Sequence, residues 1–278
     1  MCHLIYTDTF YMKRKWIRWV SWILLTPIIL FVILMVLLYV PPVQNLLRRE
    51  VTAYASKATG MQIQVERIDL RFPLNLLVRG VEVIQQPDTL LSLESLNVRV
   101  QAWPLIKGKV EVDEVTLSRV AVNSADLMEG MNIKGVLGRF FLQSHGVDLS
   151  NELAVINQVE LSDTHVQLLM NDTTTTPKDT TASAPINWKV ALHQLKLKNV
   201  SFSMQLPADS MRMAAHIGEA AIDDAQADLK NQYYDLKKFL LSGTSVSYDT
   251  GTAQPAEGFD ASHIAVRDIR IALDSLLY

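Results

Sequence analysis

The chain has 278 residues, which is enough for one large domain or two ordinary ones. Hydrophobic residues make up 49% and charged residues 20%, so the composition excludes a chain that is disordered throughout. The net charge of −3 argues against nucleic-acid binding driven by bulk positive charge, and the single cysteine, Cys2, excludes an internal disulfide framework and any multi-cysteine zinc site.

A hydrophobic segment near the N-terminus predicts a membrane anchor. Residues 19–47 contain no Asp, Glu, Lys, Arg or His, and about 20 apolar residues suffice for a helix to cross the hydrocarbon layer. We predict a cytoplasmic N-terminus at 1–18 and a transmembrane helix at 19–41. The alternative is a cleaved signal peptide, against which the long apolar core and the poor cleavage site argue.

The charges that flank this segment predict its orientation. Lys13, Arg14, Lys15 and Arg18 precede the span, and an excess of cations marks the cytoplasmic side. The bulk of the chain is therefore expected on the other side of the membrane. Met12 followed by a basic run is typical of the start of a bacterial membrane anchor, so we also consider Met12 as the true first residue.

A short amphipathic helix is predicted after the span, within 42–60. Apolar residues recur at the 3.6-residue spacing of a helix from Val43 to Ala58, and Gly60 is placed to end it. Two interpretations stay open. The helix covers the end of the sheet that follows, or it lies on the bilayer.

From residue 61 to 278 the apolar residues alternate as they do in β-strands. A template, apolar-x-apolar-x-x-apolar-x-apolar, occurs six times. Its central two-residue step falls at 66–67, 94–95, 113–114, 157–158, 193–194 and 267–268. A β-bulge would absorb the extra residue at each step and keep the apolar residues on one face. We therefore predict a mainly β domain, a curved and twisted antiparallel sheet with one apolar face.

Several segments interrupt the alternation. Residues 126–143 predict a short helix or structured loop, and residues 103–109 predict a wider connection between paired strands. Residues 171–185 are rich in threonine and predict a flexible loop, either an insertion in a hairpin or an acceptor for O-glycosylation. Residues 240–243 predict a turn.

No catalytic or metal-binding constellation emerges. The histidines are scattered singly rather than at metal-ligand spacings, and neither a nucleophile elbow nor a phosphate-binding loop occurs. Asp163-Thr164-His165 and Asp223-Asp224 are expected at strand ends or turns, where such residues are ordinary. We therefore expect no enzyme activity, no cofactor and no metal.

The N-terminal half resembles the AsmA-like family. The short basic N-terminus and single span are followed by PPVQNLLRRE, ATGMQIQVERIDL and LLSLESLNVRVQAWPLIKGKVEVDEVTL. The likeness covers residues 12–125 and extends more loosely to QYYDLKKFLLSG and FDASHIAVRDIRI near the C-terminus. Within the family it is greatest to the TamB-type members.

The resemblance implies a single-pass protein of the bacterial inner membrane with a periplasmic β-groove. Such a groove would conduct phospholipid between the membranes, with acyl chains and the inner membrane as partners. The alternative is an assembly factor that serves an outer-membrane barrel of the Omp85 type by β-augmentation, without lipid transport. Family members that bridge the envelope are longer, so we expect this chain to be the N-terminal part of a larger protein. No nucleic-acid partner is expected.

The candidate groove-lining residues are apolar positions of two template copies. They are Val110, Val112, Val115, Leu117, Val190, Leu192, Leu195 and Leu197. Burial of acyl chains would be shared among them, with no single decisive residue. The alternative is that these residues form the closed core of a β-sandwich or small barrel.

Overall fold

The computed structural model describes residues 40–72, 74–85, 87–106, 111–124, 130–148, 152–171, 187–251 and 258–277. The predicted transmembrane segment lies outside these residues except for its last two positions. The predicted threonine-rich loop lies outside them except for Asn171. Among the residues described, no helix has the length and apolar character needed to cross a membrane.

The helix predicted after the anchor forms as α1, Pro41–Thr59. Its first two residues are prolines, which the first turn of a helix tolerates because its N–H groups have no partners within the helix. It ends at Gly60, whose φ of 70° is the left-handed conformation that favours glycine. The Gly60 N–H donates to the carbonyl of Ser56. A second, five-residue helix, α2, spans Ala102–Ile106 within the predicted connection.

The remaining elements form a single sheet of eleven strands. Their bounds are β1 Gln62–Arg71, β2 Asn75–Gln85, β3 Asp88–Val100, β4 Val112–Asn123, β5 Met131–Asp148, β6 Leu153–Met170, β7 Lys189–Leu206, β8 Met211–Asp228, β9 Tyr233–Asp249, β10 His263–Leu273 and β11 Leu276–Leu277. The predicted mainly β class is confirmed.

The strands β1 to β10 lie side by side in the order of the sequence, and β11 pairs with β9 beyond the end of β10. Strand β1 is at one edge and β10 at the other, so the sheet is open. Most neighbours are antiparallel, as predicted. The exception is β6 and β7, which are parallel: Leu153 pairs with Lys189 and Leu169 with Gln205. The antiparallel prediction is wrong at this pair, and because parallel strands cannot be joined by a hairpin, the interpretation of residues 171–185 as an insertion in a hairpin is wrong as well.

Three local predictions are also wrong. Residues 131–143, predicted as helix or loop, belong to the long strand β5. The turn predicted at 240–243 lies inside β9. Asp163 and Asp224, expected at strand ends or turns, lie in the middle of β6 and β8. In all three cases the strand continues through a local irregularity whose sequence pattern is typical of a strand end.

These irregularities line up across the sheet in a row that we call the first step row. From β1 to β9 its members face one another on successive strands and are Glu66, Gly80, Glu94, Arg119, Gly138, Asp163, Asn199, Gly218 and Gly243. Asp268 continues the row on β10 with an offset, because it lies in a register shift opposite Ser245. Six members of the row, one each on β2, β4, β6, β7, β9 and β10, have left-handed φ values of 48–59°. At each step the alternation changes phase, as between Leu197 and Val200 on β7. On the six strands with a left-handed residue, we attribute the continuity of the apolar face to that residue, which redirects the side chains that follow.

A second step row crosses β4 to β9. Its members are Asp113, Ser144, His145, Asn157, His193, Asp224 and Lys237. The central step of every template copy found in the sequence falls in one of the two rows.

The predicted β-bulges are confirmed only in part. The register shifts near Asp113, Asn157 and Asp268. At Glu66, Glu94 and His193 it does not shift, because the neighbouring strand carries an irregular residue at the same level. The backbone ladder therefore resumes in register on both sides of the step.

Small residues are required where two strands approach closely in the first step row. A Cβ atom at Gly138 would lie 2.7 Å from the Cβ of Asp163 and 3.1 Å from two backbone oxygens. We predict that Gly138→Ala lowers the free energy of unfolding by about 1–3 kcal/mol, the usual cost of overpacking. Urea unfolding of the full chain in detergent, followed by circular dichroism, measures it.

Gly135 provides the matched control on the same strand. A Cβ atom there would meet no atom nearer than 3.6 Å, and its φ is not left-handed. Gly135→Ala should therefore change the stability by less than about 1 kcal/mol. Equal stability of the two variants would contradict the role assigned to Gly138.

Candidate functional site

Two unbroken rows of apolar side chains cross all ten long strands beside the first step row. Residues paired directly across neighbouring strands point to the same face of a sheet. One row consists of Leu70, Leu76, Val98, Val115, Leu142, Val159, Leu195, Ile222, Phe239 and Leu273. The other consists of Ile68, Val78, Leu96, Leu117, Phe140, Leu161, Leu197, Ala220, Leu241 and Ile271. We call the face that carries them the apolar face.

The apolar pattern continues on the far side of the first step row. Val65, Val81, Leu93, Val120 and Leu137 follow one another across β1 to β5. The apolar positions thus extend along each strand as well as across the sheet. This makes the apolar face a surface rather than a single stripe.

The structure brings four of the eight predicted lining residues together in the apolar rows. Val115 and Leu195 belong to the first apolar row, and Leu117 and Leu197 to the second. Val115 and Leu195 lie three strands apart, about 14 Å at the usual strand spacing.

The other predicted lining residues are more peripheral. Val190 and Leu192 lie beyond the second step row, paired with Ala154 and Ile156 of β6. Val112 begins β4, and Val110 lies outside the described residues. All the described members of the predicted set are half-buried.

Side chains of the apolar face are shielded by their neighbours in the sheet. The principal contacts among the described elements join neighbouring strands, and α1 with β1. Only Leu90, Ala154 and Ala220 are buried apolar residues in the described part of the chain. Toward the β10 edge, Val266 remains 46% and Ile271 40% exposed. The face is therefore accessible, whereas a closed core would bury such residues fully.

The opposite face, which we call the polar face, carries charged side chains, with Leu77, Phe141 and Leu240 interspersed among them. Between the apolar Leu195 and Leu197 stands Lys196, whose Nζ lies 4.0 Å from the Glu160 carboxylate on β6. Lys189 lies 3.4 Å from Asp228 in the same way across β7 and β8. Ion pairs this exposed contribute little stability each, so their main effect is to keep this face in water.

Two polar groups on β8 and β9 have shifted pKa values. The backbone N–H of Asn231 donates to Asp228 and lowers the pKa of that carboxyl, with Lys189 assisting. Hydrogen bonding to Asp235 raises the pKa of Lys237, whose side chain is 61% exposed. Both shifts have local structural partners, and neither group is part of the apolar face.

A shallow depression of about 430 Å³ lies on the polar face at the ends of β7 to β10. The ring of His263 sits in it, with Nδ1 2.9 Å from Asp260 and Nε2 3.0 Å from Asp249. The Asp260 contact is a hydrogen bond. The Asp249 contact is a close approach without hydrogen-bond alignment. In the described residues no three His, Cys, Asp or Glu side chains cluster closely enough to hold a metal ion.

Sequence reasoning missed several members of the apolar rows. Phe140 and Leu142 were hidden in the segment predicted as helix or loop. A signal was present, because Gly135, Leu137, Phe140 and Leu142 follow the strand template with glycine at its first position. Glycine does not count as apolar in such a pattern, so the copy was not recognised.

No protein-family model matches the chain, and no curated protein sequence is significantly similar to it.

The accessibility of the apolar face predicts a modest cost for truncating its side chains. Leu→Ala in a closed core costs about 2–5 kcal/mol. Leu195 is only half-buried, so we predict that Leu195→Ala lowers the free energy of unfolding by about 1 kcal/mol. Chemical denaturation of the full chain in detergent measures it, with the adjacent Lys196→Ala as the control. A loss above about 3 kcal/mol for Leu195→Ala alone would indicate that the residue belongs to a closed core.

Proposed function

We propose that this chain is a non-enzymatic, AsmA-like protein of the TamB type, anchored in the bacterial inner membrane. Its apolar face binds phospholipid acyl chains and conducts phospholipid between the inner and outer membranes. The observation that carries the proposal is the pair of apolar rows, each unbroken over ten strands of an open sheet.

The dimensions of the sheet support this. Ten strands about 4.8 Å apart span about 43 Å. The acyl chains of one leaflet fill half of the roughly 30 Å hydrocarbon core, about 15 Å. The apolar rows are therefore longer than a phospholipid tail, so a lipid could move along them without meeting a polar barrier.

The energetics also suit acyl chains. Each methylene group that leaves water contributes about 0.8 kcal/mol, and the contribution does not depend on a particular partner atom. Leucine, valine and isoleucine dominate the two rows, and they supply contact without hydrogen-bond demands. A uniform apolar surface of this kind holds a lipid at many equivalent positions and favours sliding over tight fixation.

Photo-crosslinking tests the proposal at sites on opposite faces of one strand. A photoreactive amino acid at Leu195, or at Val112, should capture phospholipid in native membranes, with the adduct identified by mass spectrometry. The same amino acid at Lys196 is the matched control, because its side chain points to the polar face. Lipid capture at Leu195 no greater than at Lys196 would exclude the apolar face as the lipid site.

The second candidate function is assembly of an outer-membrane barrel of the Omp85 type by β-augmentation. It is favoured by the open edge of β10, which pairs with β9 on one side and with no strand of the described chain on the other. An added strand would complete the ladder there. Here a photoreactive amino acid at Arg270 on β10 should capture the barrel protein. Barrel capture there, without lipid capture at Leu195, would replace the first function with the second.

A further inference from the structure

Helix α1 contacts the sheet through polar side chains. Gln44 Nε2 donates to the carbonyl of Leu70 at 3.0 Å, and Arg48 donates to the carbonyl of Glu66 at 2.6 Å. The backbone N–H of Ile63 donates to the hydroxyl of Ser56 at 3.0 Å. These bonds satisfy backbone groups on the outer edge of β1, which among the described strands pairs with β2 alone. The helix therefore closes this edge by side-chain hydrogen bonding.

This docking leaves the apolar residues of α1 in solvent. Leu46 is 59%, Val51 47% and Tyr54 77% exposed. At about 100° per residue, Tyr54 and Val51 lie about 60° apart and form the apolar arc of α1, whereas Leu46 lies about 80° beyond Tyr54 with Glu50 and Lys57 in between. Gln44, Arg48 and Ser56 occupy a separate arc. A helix on a globular protein normally turns its apolar arc toward the core. In α1 the arrangement is reversed, so the apolar arc is available to another surface.

The side of the sheet to which this arc turns follows from chirality. The backbone groups of Ile63 and Leu70 that point toward α1 belong to residues whose side chains lie on the apolar face. For L-residues, this relation between side-chain face and backbone direction determines whether α1 lies to the right or the left of β1 when the apolar face is viewed. The helix runs antiparallel to β1, since Gln44 bonds near the end of the strand and Ser56 near its start. A right-handed helix docked in this way turns Val51 toward the side of the apolar face.

The same geometry places Tyr54 with Val51 and turns Arg49 toward the polar side. The apolar arc of α1 thus extends the apolar face beyond β1. The amphipathic character of the helix matches that of the sheet, although the two elements touch through polar groups.

The sequence indicates which surface the apolar arc of α1 contacts. The uncharged stretch 19–47 runs directly into α1, so a membrane anchor there delivers the helix to the bilayer surface. Glu50 and Lys57 are both exposed beside the arc, where their charges offset each other, and a tyrosine such as Tyr54 favours the membrane interface.

We propose that α1 lies on the surface of the phospholipid bilayer with Val51 and Tyr54 in contact with acyl chains, so that the apolar face meets the membrane along β1. This inference rests on the anchored state in the proposed function. It adds the place at which lipid passes from the bilayer to the sheet. The arc on α1 is the first apolar surface that such a lipid contacts.

Depth-dependent fluorescence quenching tests the inference with the full chain. Cys2, the only native cysteine, is replaced by alanine, and single cysteines are introduced as Val51→Cys, Tyr54→Cys and Arg49→Cys. Each is labelled with an environment-sensitive fluorophore in vesicles of phosphatidylethanolamine and phosphatidylglycerol. Labels at 51 and 54 should be quenched by lipids brominated in the acyl chain and several-fold less by aqueous iodide. The label at Arg49, on the polar side, should show the reverse.

The outcomes separate this inference from the proposed function. Strong iodide quenching at all three positions, with the protein still in the vesicles, overturns the inference and leaves the anchor intact. Protection from iodide at 51 and 54 without quenching by brominated lipid also overturns it, because protein then covers the arc. Failure of the chain to remain with vesicles after alkaline extraction overturns the anchored state itself.

Discussion

A sheet one layer thick has only its own neighbouring strands with which to shield apolar side chains, and the rest of this structure depends on that constraint. Most residues of the two apolar rows are half-covered by the residues paired with them, whereas Ala220 is buried and Ile271 and Leu273 at the β10 edge remain exposed. Stability then comes from the continuity of the hydrogen-bond ladder and from same-face contacts between adjacent strands. A break in register at any strand would separate the rows and expose them further. The matched steps preserve that register while allowing the strands to change phase.

The two step rows compensate for the twist of the long strands. An 18-residue strand such as β7 or β8 twists continuously, and its apolar side chains rotate away from a common face. An extra residue at the same level on each strand resets the phase without shifting the pairs beyond it. Glycine at 138 and 218, and hydrogen-bonded Asp163 and Asn199, let neighbouring backbones approach closely there. The apolar face that we propose for lipid exists because these irregularities are aligned.

Much of the sheet could be predicted from the sequence, because the alternation of apolar and polar residues indicates which side of a strand is exposed to water. The step positions at 66, 94 and 193 were visible as two polar residues between apolar pairs. The sequence did not show that these positions face irregular residues on the neighbouring strands, because strand pairing is a tertiary property. Gly80 and Gly218 also have no apolar side chain that would mark the step. The parallel pairing of β6 and β7 was hidden for a similar reason, since both strands show the same pattern in either direction. The polar docking of α1 also escaped prediction, because an amphipathic pattern identifies the apolar arc and not the arc that bonds to a strand edge.

The parallel pair has a consequence for the order of assembly. Antiparallel neighbours pair residues that are close in sequence, so β1 to β6 form one local meander and β7 to β10 form another. Strands β6 and β7 pair residues that are 36 positions apart along their whole length, from Leu153 with Lys189 to Leu169 with Gln205. Bringing such residues together costs more chain entropy than closing a hairpin. We therefore expect the two meanders to form before they join, and the pairing of β6 with β7 to complete the sheet last.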